Sequence, residues 1–207
     1  DTANVTISES CSLSGATIQG DLYITEGLGS DAVTLSNVTV KGSVIVSGGT
    51  VTMMNTSSDH MIVSSPMGRL LQVTATGATR IGKTEVQSAA TLYEKSLTSA
   101  EDNGFSGVEV NGEGRVSLTL DANVEDLTLT GESTVSTTAG TKIYQMTVEQ
   151  PSSVTGYGSV YQANIQVDGV SFASSVSVSG YAIEKGVSAT IGGKTMSGIS
   201  TAGVVPK

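Results

Sequence analysis

Apolar residues recur along this chain at a fixed step, separated by polar ones. Val108, Leu127, Met146 and Ile165 follow one another at 19-residue intervals, and so do Val110, Leu129, Val148 and Val167. Val116, Val135, Val154 and Ala173 form a third column at that step, and Phe105, Val124 and Ile143 a fourth. Within each repeat the apolar residues sit two apart, the alternation of a strand with one face in and one face out. The intervening positions Glu109, Thr128, Thr147 and Gln166 are all polar.

The N-terminal part repeats with a longer step. Cys11, Leu13, Ala16, Ile18, Leu22 and Ile24 match Val33, Leu35, Val38, Val40, Val44 and Val46, each 22 residues later. Three apolar pairs per repeat predict three faces per turn. Val51 to Met53, Met61 to Val63 and Leu71 to Val73 continue the pattern less regularly.

One repeat cannot bury its inward residues alone. Coils stacked at the ~4.8 Å strand spacing bury them as continuous ladders. The expected fold is therefore all-β: a single-stranded parallel β-helix, or solenoid, of about nine or ten coils of 19–22 residues, about 45 Å long. Right-handed winding is expected from the preference of parallel crossovers. A left-handed hexapeptide helix needs a strict six-residue step, which the gap from Val108 to Val116 breaks. Residues 1–180 are expected to form the β-helix, and 181–207 a C-terminal cap and the start of a linker. Val176, Val178, Val187 and Ile191 are the cap candidates. Between Ser88 and Gly104 the pattern predicts a strand over its first part and an inserted loop over its second.

Composition fits this fold. Ser and Thr supply roughly a quarter of the 207 residues, Gly adds 25, and Trp is absent. The net charge of −9, with only ten Lys and Arg, argues against nucleic acid or an anionic membrane as partner. No apolar run approaches the ~18 residues of a membrane span. The single cysteine, Cys11, forms no internal disulfide, and its place in an inward column predicts a buried apolar role.

Few residues invite chemistry. His60 is the only histidine, flanked by Asp59 and Met61; adjacent Asp and His point in different directions, and no Gly-x-Ser-x-Gly elbow occurs. Glu149 and Asp168 are read as successive members of one outward column, about 5 Å apart, which makes them a candidate weak cation site. Calcium is the candidate ion there, at Glu101, Asp102 and Asn103, or at Asp121, Glu125 and Asp126, although a solvated face or solvated turns are the preferred reading of all three groups. Tyr144, Tyr157 and Tyr161 fall in neighbouring turns as a candidate glycan-binding patch, or as rim residues packed on the ends of turns. An ice-binding Thr-x-Thr array fails: Thr128 and Thr130 fit, but Glu109 and Asn111, Thr147 and Glu149, and Gln166 and Asp168 do not. Asn4, Asn37 and Asn55 lie in Asn-x-Ser/Thr sequons.

The stretches ATIQGDLYITEG at 16–27, NVTVKGSVIVSGGTVTM at 37–53, TEVQSAATLYEK at 84–95, VTGYGSVYQANIQVDGVSF at 154–172 and GVSATIGGKTMSG at 186–198 carry a resemblance. They are similar to the repetitive β-helix regions of large Gram-positive cell-surface proteins, often those bearing S-layer homology domains. The resemblance implies an extracellular location, a modular parent with other domains flanking this one, and no transferable catalytic residue. The expected function is a non-catalytic stalk, spacer or adhesion surface. Its partners would be cell-wall or host glycans or surface proteins, and no cofactor is needed beyond a possible calcium ion. The alternative is a β-helix that binds or cleaves polysaccharide.

Overall fold

A computed structural model describes residues 3–98 and 103–198. The chain winds into a β-solenoid of about ten coils, with one short 3-10 turn at Glu26–Leu28. Its strands form two sheets of eleven, in which each strand pairs in parallel with its counterpart one coil later. One C-terminal pair is antiparallel, Ser188–Ile191 with Lys194–Ser197. The core is continuous from Ile7 to Ala189.

One sheet is bent. Its strand Lys142–Val148 buries Ile143, Met146 and Val148 but exposes both Tyr144 and Gln145. Two outward residues in succession break the alternation, so the strand turns a corner there. Pairing skips the corner: Ile143 lies beside Val160 and Gln145 beside Gln162. The expected three inward pairs are present, since Val33 with Leu35, Val38 with Val40, and Val44 with Val46 are all buried. Two sheets carry them rather than three, because the corner joins two legs within one strand, Thr39–Val46.

The N-terminal 22-residue step holds: Cys11, Leu13, Ile18, Leu22 and Ile24 pair with Val33, Leu35, Val40, Val44 and Val46. The 19-residue step holds from Val108 through Leu127 to Met146, and from Val110 through Leu129 to Val148. It then fails. Met146 lies beside Ala163 and Val148 beside Ile165, so the next coil is two residues shorter than expected. Likewise Leu118, not Val116, lies beneath Val135, and Phe172, not Ala173, lies above Val154. Observed coils run from 17 residues, Val44 to Met61, to 28, Leu92 to Leu120, a wider range than 19–22.

The longest coil contains the insertion. Ala90–Leu97 is a strand, as expected, and the start of the loop after it lies outside the described residues. Glu94 ties this coil together, accepting from the backbone N–H groups of Gly104 (2.6 Å), Phe105 (3.4 Å) and Asn123 (2.8 Å). Burial raises its pKa against the opposing pull of those donors.

At the ends the ladder loses its cover. Cys11 occupies an inward column yet is exposed, because its strand, Cys11–Ser14, is at the edge of its sheet and no coil lies beneath it among the described residues. The expected burial of this thiol is thus overturned by its position at the open end. At the other end the parallel ladder runs through Ser177–Ile183 and Ser188–Ile191. Val176 is buried there, while Val178, Val187 and Ile191 are partly buried against the core.

Polar groups inside are mostly paired. Thr79 Oγ1 donates to the Met53 carbonyl at 2.9 Å, and Thr141 Oγ1 to that of Leu120 at 2.9 Å. Asn37 and Asn55 stack at one corner in left-handed conformations, φ 54° and 50°, with Asn55 Nδ2 donating to Asn37 Oδ1 at 3.1 Å. These two sequon asparagines serve as an amide ladder at a turn. Among the described residues two buried polar atoms lack a partner, the Asn111 Oδ1 and the Thr84 hydroxyl. Thr84 fills a column between Met61 and Val108 and is fully buried.

Two outcomes follow. Thr84→Val removes an orphaned hydroxyl at constant shape and should raise stability by about 1 kcal/mol, or about 2–4 °C in Tm. Leu129→Asn should cost at least about 3 kcal/mol, because it places an unpaired amide in the core, whereas Thr128→Asn, one residue away, should stay within about 0.5 kcal/mol. Thermal melts of the three variants check both, and equal melts for the two asparagine variants would contradict the faces assigned here.

Candidate functional site

Beyond the corner, the bent sheet presents one long outward face. Its register aligns Ser43, His60, Lys83, Gly107, Asp126, Gln145, Gln162 and Gly180 in one column. Beside it runs Ile45, Ile62, Glu85, Glu109, Thr128, Thr147, Asn164 and Ala182. Short loops after these strands supply a third row. Each side chain is positioned by ladder hydrogen bonds, so the face is as regular as the backbone beneath it.

The N-terminal half of this face is a connected polar network. Ser43 Oγ lies 3.0 Å from His60 Nδ1, and His60 Nε2 lies 3.2 Å from Glu85 Oε1. Lys83 Nζ bridges Glu85 Oε1 at 3.0 Å and Glu109 Oε2 at 2.7 Å. Asn111 Nδ2 donates to Glu85 Oε2 at 3.1 Å, and Thr130 Oγ1 to Glu109 Oε1 at 3.2 Å. The Lys83 ammonium, helped by Asn111 and His60, pulls the Glu85 carboxyl down to about 2. In return Glu109 and Glu85 push the Lys83 pKa up.

A serine, a histidine and a carboxylate in series resemble the parts of an acyl-transfer relay. The surroundings of Ser43 are wrong for it. Its backbone N–H donates to Asp21 Oδ1 at 2.8 Å, which sets a carboxylate where a developing oxyanion needs donors. What the chain of contacts does accomplish is to fasten successive coils on their outer side. The acid that reaches His60 is Glu85, 25 residues later, and not its neighbour Asp59. Asp59 sits at the corner position, where it lines a recess with Lys41, Arg80 and Ser106.

The C-terminal half is different. Tyr144 and Tyr161 occupy successive corner positions and stack with ring centroids 5.2 Å apart and planes 9° apart. Both are exposed, at 41% and 44%. Tyr157 does not share this corner: it follows the strand Ser152–Gly156 of the other sheet, at the corner that precedes Ser159–Ile165. The patch expected from three tyrosines is therefore a pair.

Glu149 and Asp168 are not column neighbours. Val148 pairs with Ile165, which puts Gln166 beside Glu149, while Asp168 Oδ1 accepts from the backbone N–H of Ser188 at 2.8 Å. The expected adjacency rested on a 19-residue step where the coil has 17. Asp121 Oδ1 accepts from Thr138 Oγ1 in one sheet, while Glu125 and Asp126 lie in the other. Of the acids proposed near the insertion, Glu101 and Asp102 lie outside the described residues. Among the described residues no cluster of three or more His, Cys, Asp or Glu is placed to hold a metal ion.

Comparison with known protein families, curated proteins and solved structures finds no match to this chain.

Acid titration reads the polar network. The lowered Glu85 value means its contribution to stability is complete above about pH 4.5 and is lost as pH falls toward about 2. Glu85→Gln should therefore lower Tm at neutral pH and flatten its fall between pH 4.5 and 2. Parallel curves for wild type and variant across that window would show that the network adds nothing.

Proposed function

We propose that this chain is a non-catalytic, extracellular module of a larger bacterial surface protein, a stiff spacer that also offers an adhesion surface. One observation carries the reading: the inward ladder continues through about ten coils while most outward positions of the long face are polar. Each coil contacts only its neighbours, so the rod lengthens with every coil added while each junction is held by the same stacking. The acidic charge keeps such a rod soluble and apart from its copies. The resemblance to surface-protein β-helix regions supports the location and the modular parent. Its partners are cell-wall or host glycans or surface proteins.

Polysaccharide binding is a second reading, and the Tyr144–Tyr161 stack favours it. Cleavage has less support, since Ser43 faces a carboxylate in place of oxyanion donors and Glu149 is not paired with Asp168.

Two measurements test the proposal. Antibodies to the chain should label intact cells of the source bacterium without permeabilisation. A panel of polysaccharides should show no new reducing ends after incubation with the purified chain. Turnover that disappears in His60→Ala or Glu149→Ala would overturn the non-catalytic reading, and labelling only after lysis would overturn the surface location.

A further inference from the structure

Hydrogen-bonding capacity divides the long face into two halves. In the N-terminal half Ser43, His60, Lys83, Glu85 and Glu109 bond to one another. In the C-terminal half the side chains of Gln145, Thr147 and Asn164 have no partner among the described residues. Amides and hydroxyls held at fixed spacing, yet bonded to nothing in the chain, are ready to bond a ligand without first breaking contacts.

The tyrosines give this half its apolar element. In the offset stack only one face of each ring meets the other. The outer face of Tyr161 looks along the rod toward the next corner position, which register assigns to the small Ser179. Beside it comes Gly180, and a side chain there would collide with Gln162, whose Oε1 lies 2.6 Å from the place of its Cβ. The small pair Ser179 and Gly180 thus leaves a step in the surface, with an aromatic ring on one side and an amide on the other.

Charge then selects among ligands. Register places Glu125 beside Tyr144 at the corner and Asp126 beside Gln145, and Glu149 follows the strand that bears Thr147. The columns from Asp126 to Gly180 and from Thr128 to Ala182 contain no Lys or Arg. A polyanion would meet repulsion along this surface and no counter-charge within it.

Resting on the polysaccharide-binding reading, we propose that Tyr161, Gln162, Gln145, Thr147 and Asn164 form a binding site for a neutral polysaccharide lying across the rod, along the strand direction. The C–H face of one pyranose packs on Tyr161 over Ser179 and Gly180. The amides bond its hydroxyls, and the next sugar meets Asn164 and Thr147. A chain in this direction follows the strand from Tyr161 past Gln162 to Asn164, with Gln145 and Thr147 on the neighbouring rung. Binding of this kind is insensitive to salt, since no ion pair takes part.

The test titrates the folded chain with cellohexaose, mannohexaose, chitohexaose and a polygalacturonate hexamer, followed by isothermal calorimetry at low and high salt. The expected result is binding of at least one neutral hexasaccharide, equal at both salt concentrations. Tyr161→Ala should weaken it roughly tenfold and Gln145→Ala severalfold, while Tyr157→Ala leaves it unchanged. Circular dichroism of each variant confirms that the coil is intact. Binding of the polygalacturonate hexamer alone would overturn the neutral class while leaving the polysaccharide reading in place. Neutral binding that survives both Tyr161→Ala and Gln145→Ala would overturn the site, and no binding by any of the four at millimolar concentration would overturn both the site and the reading.

Discussion

Everything in this molecule depends on burial that no coil achieves alone. Val33, Val51 and Val73 lie in one column and are each fully buried, because a neighbouring coil covers them above and below. The same stacking satisfies the backbone, since ladder N–H groups donate to the coils before and after their own. Hydrophobic burial and hydrogen bonding therefore run along the same axis. The two ends are the places where this fails. Cys11 is exposed although its column is apolar, and Tyr181, in register with the buried Ala163, is 44% exposed. The antiparallel turn-back from Ser188–Ile191 to Lys194–Ser197 ends the second sheet with a strand running the other way, which interrupts parallel growth.

That constraint explains what the sequence made legible. Stacking demands that an inward residue lie over an inward residue, so columns of apolar positions are written into the chain. The step between them is less tightly specified. A coil shortened by two residues keeps every side chain on its own face, because strand alternation has a period of two. Val148 therefore accepts Ile165 as readily as Val167, and apolar pattern alone does not distinguish them. The turns decide, and their lengths follow from local backbone geometry at residues such as Gly156, with φ 96°. The corner within the bent sheet was hidden for a related reason. Tyr144 and Gln145 are both outward, and two polar positions in a row look like a loop when read along the sequence.

Outward chemistry was harder still to read, because it depends on register to the exact rung. Ser43, His60 and Glu85 come from three coils with unequal steps, so no motif in the sequence announces their contact. Glu149 and Asp168 show the opposite failure, an apparent pair dissolved by a coil of 17 residues. Tyr144 and Tyr161 met because they are separated by that same coil length, whereas Tyr157 lies only four residues from Tyr161 but at another corner. Proximity in a solenoid is set by whole coils, and nearness along the chain says little.

The two halves of the long face show how one scaffold can serve two ends. Where Lys83 joins Glu85 and Glu109, one ammonium offsets part of the charge of two carboxylates and binds coil to coil. Such exposed pairs contribute little singly, but a network that crosses several rungs resists the slippage to which a repeating ladder is prone. Where the rungs carry Thr147, Asn164 and Gln145, no such side-chain ties occur among the described residues, and register is held by the core and the backbone ladder. Met146 and Val148 are fully buried beneath them, so the loss of outer ties costs this region little order. A rigid backbone beneath such side chains spares a ligand the cost of ordering main chain, and what remains is about 0.5–1.5 kcal/mol for each side-chain rotamer fixed. A repeating polymer multiplies that advantage, because each additional unit binds as an intramolecular step once the first is seated.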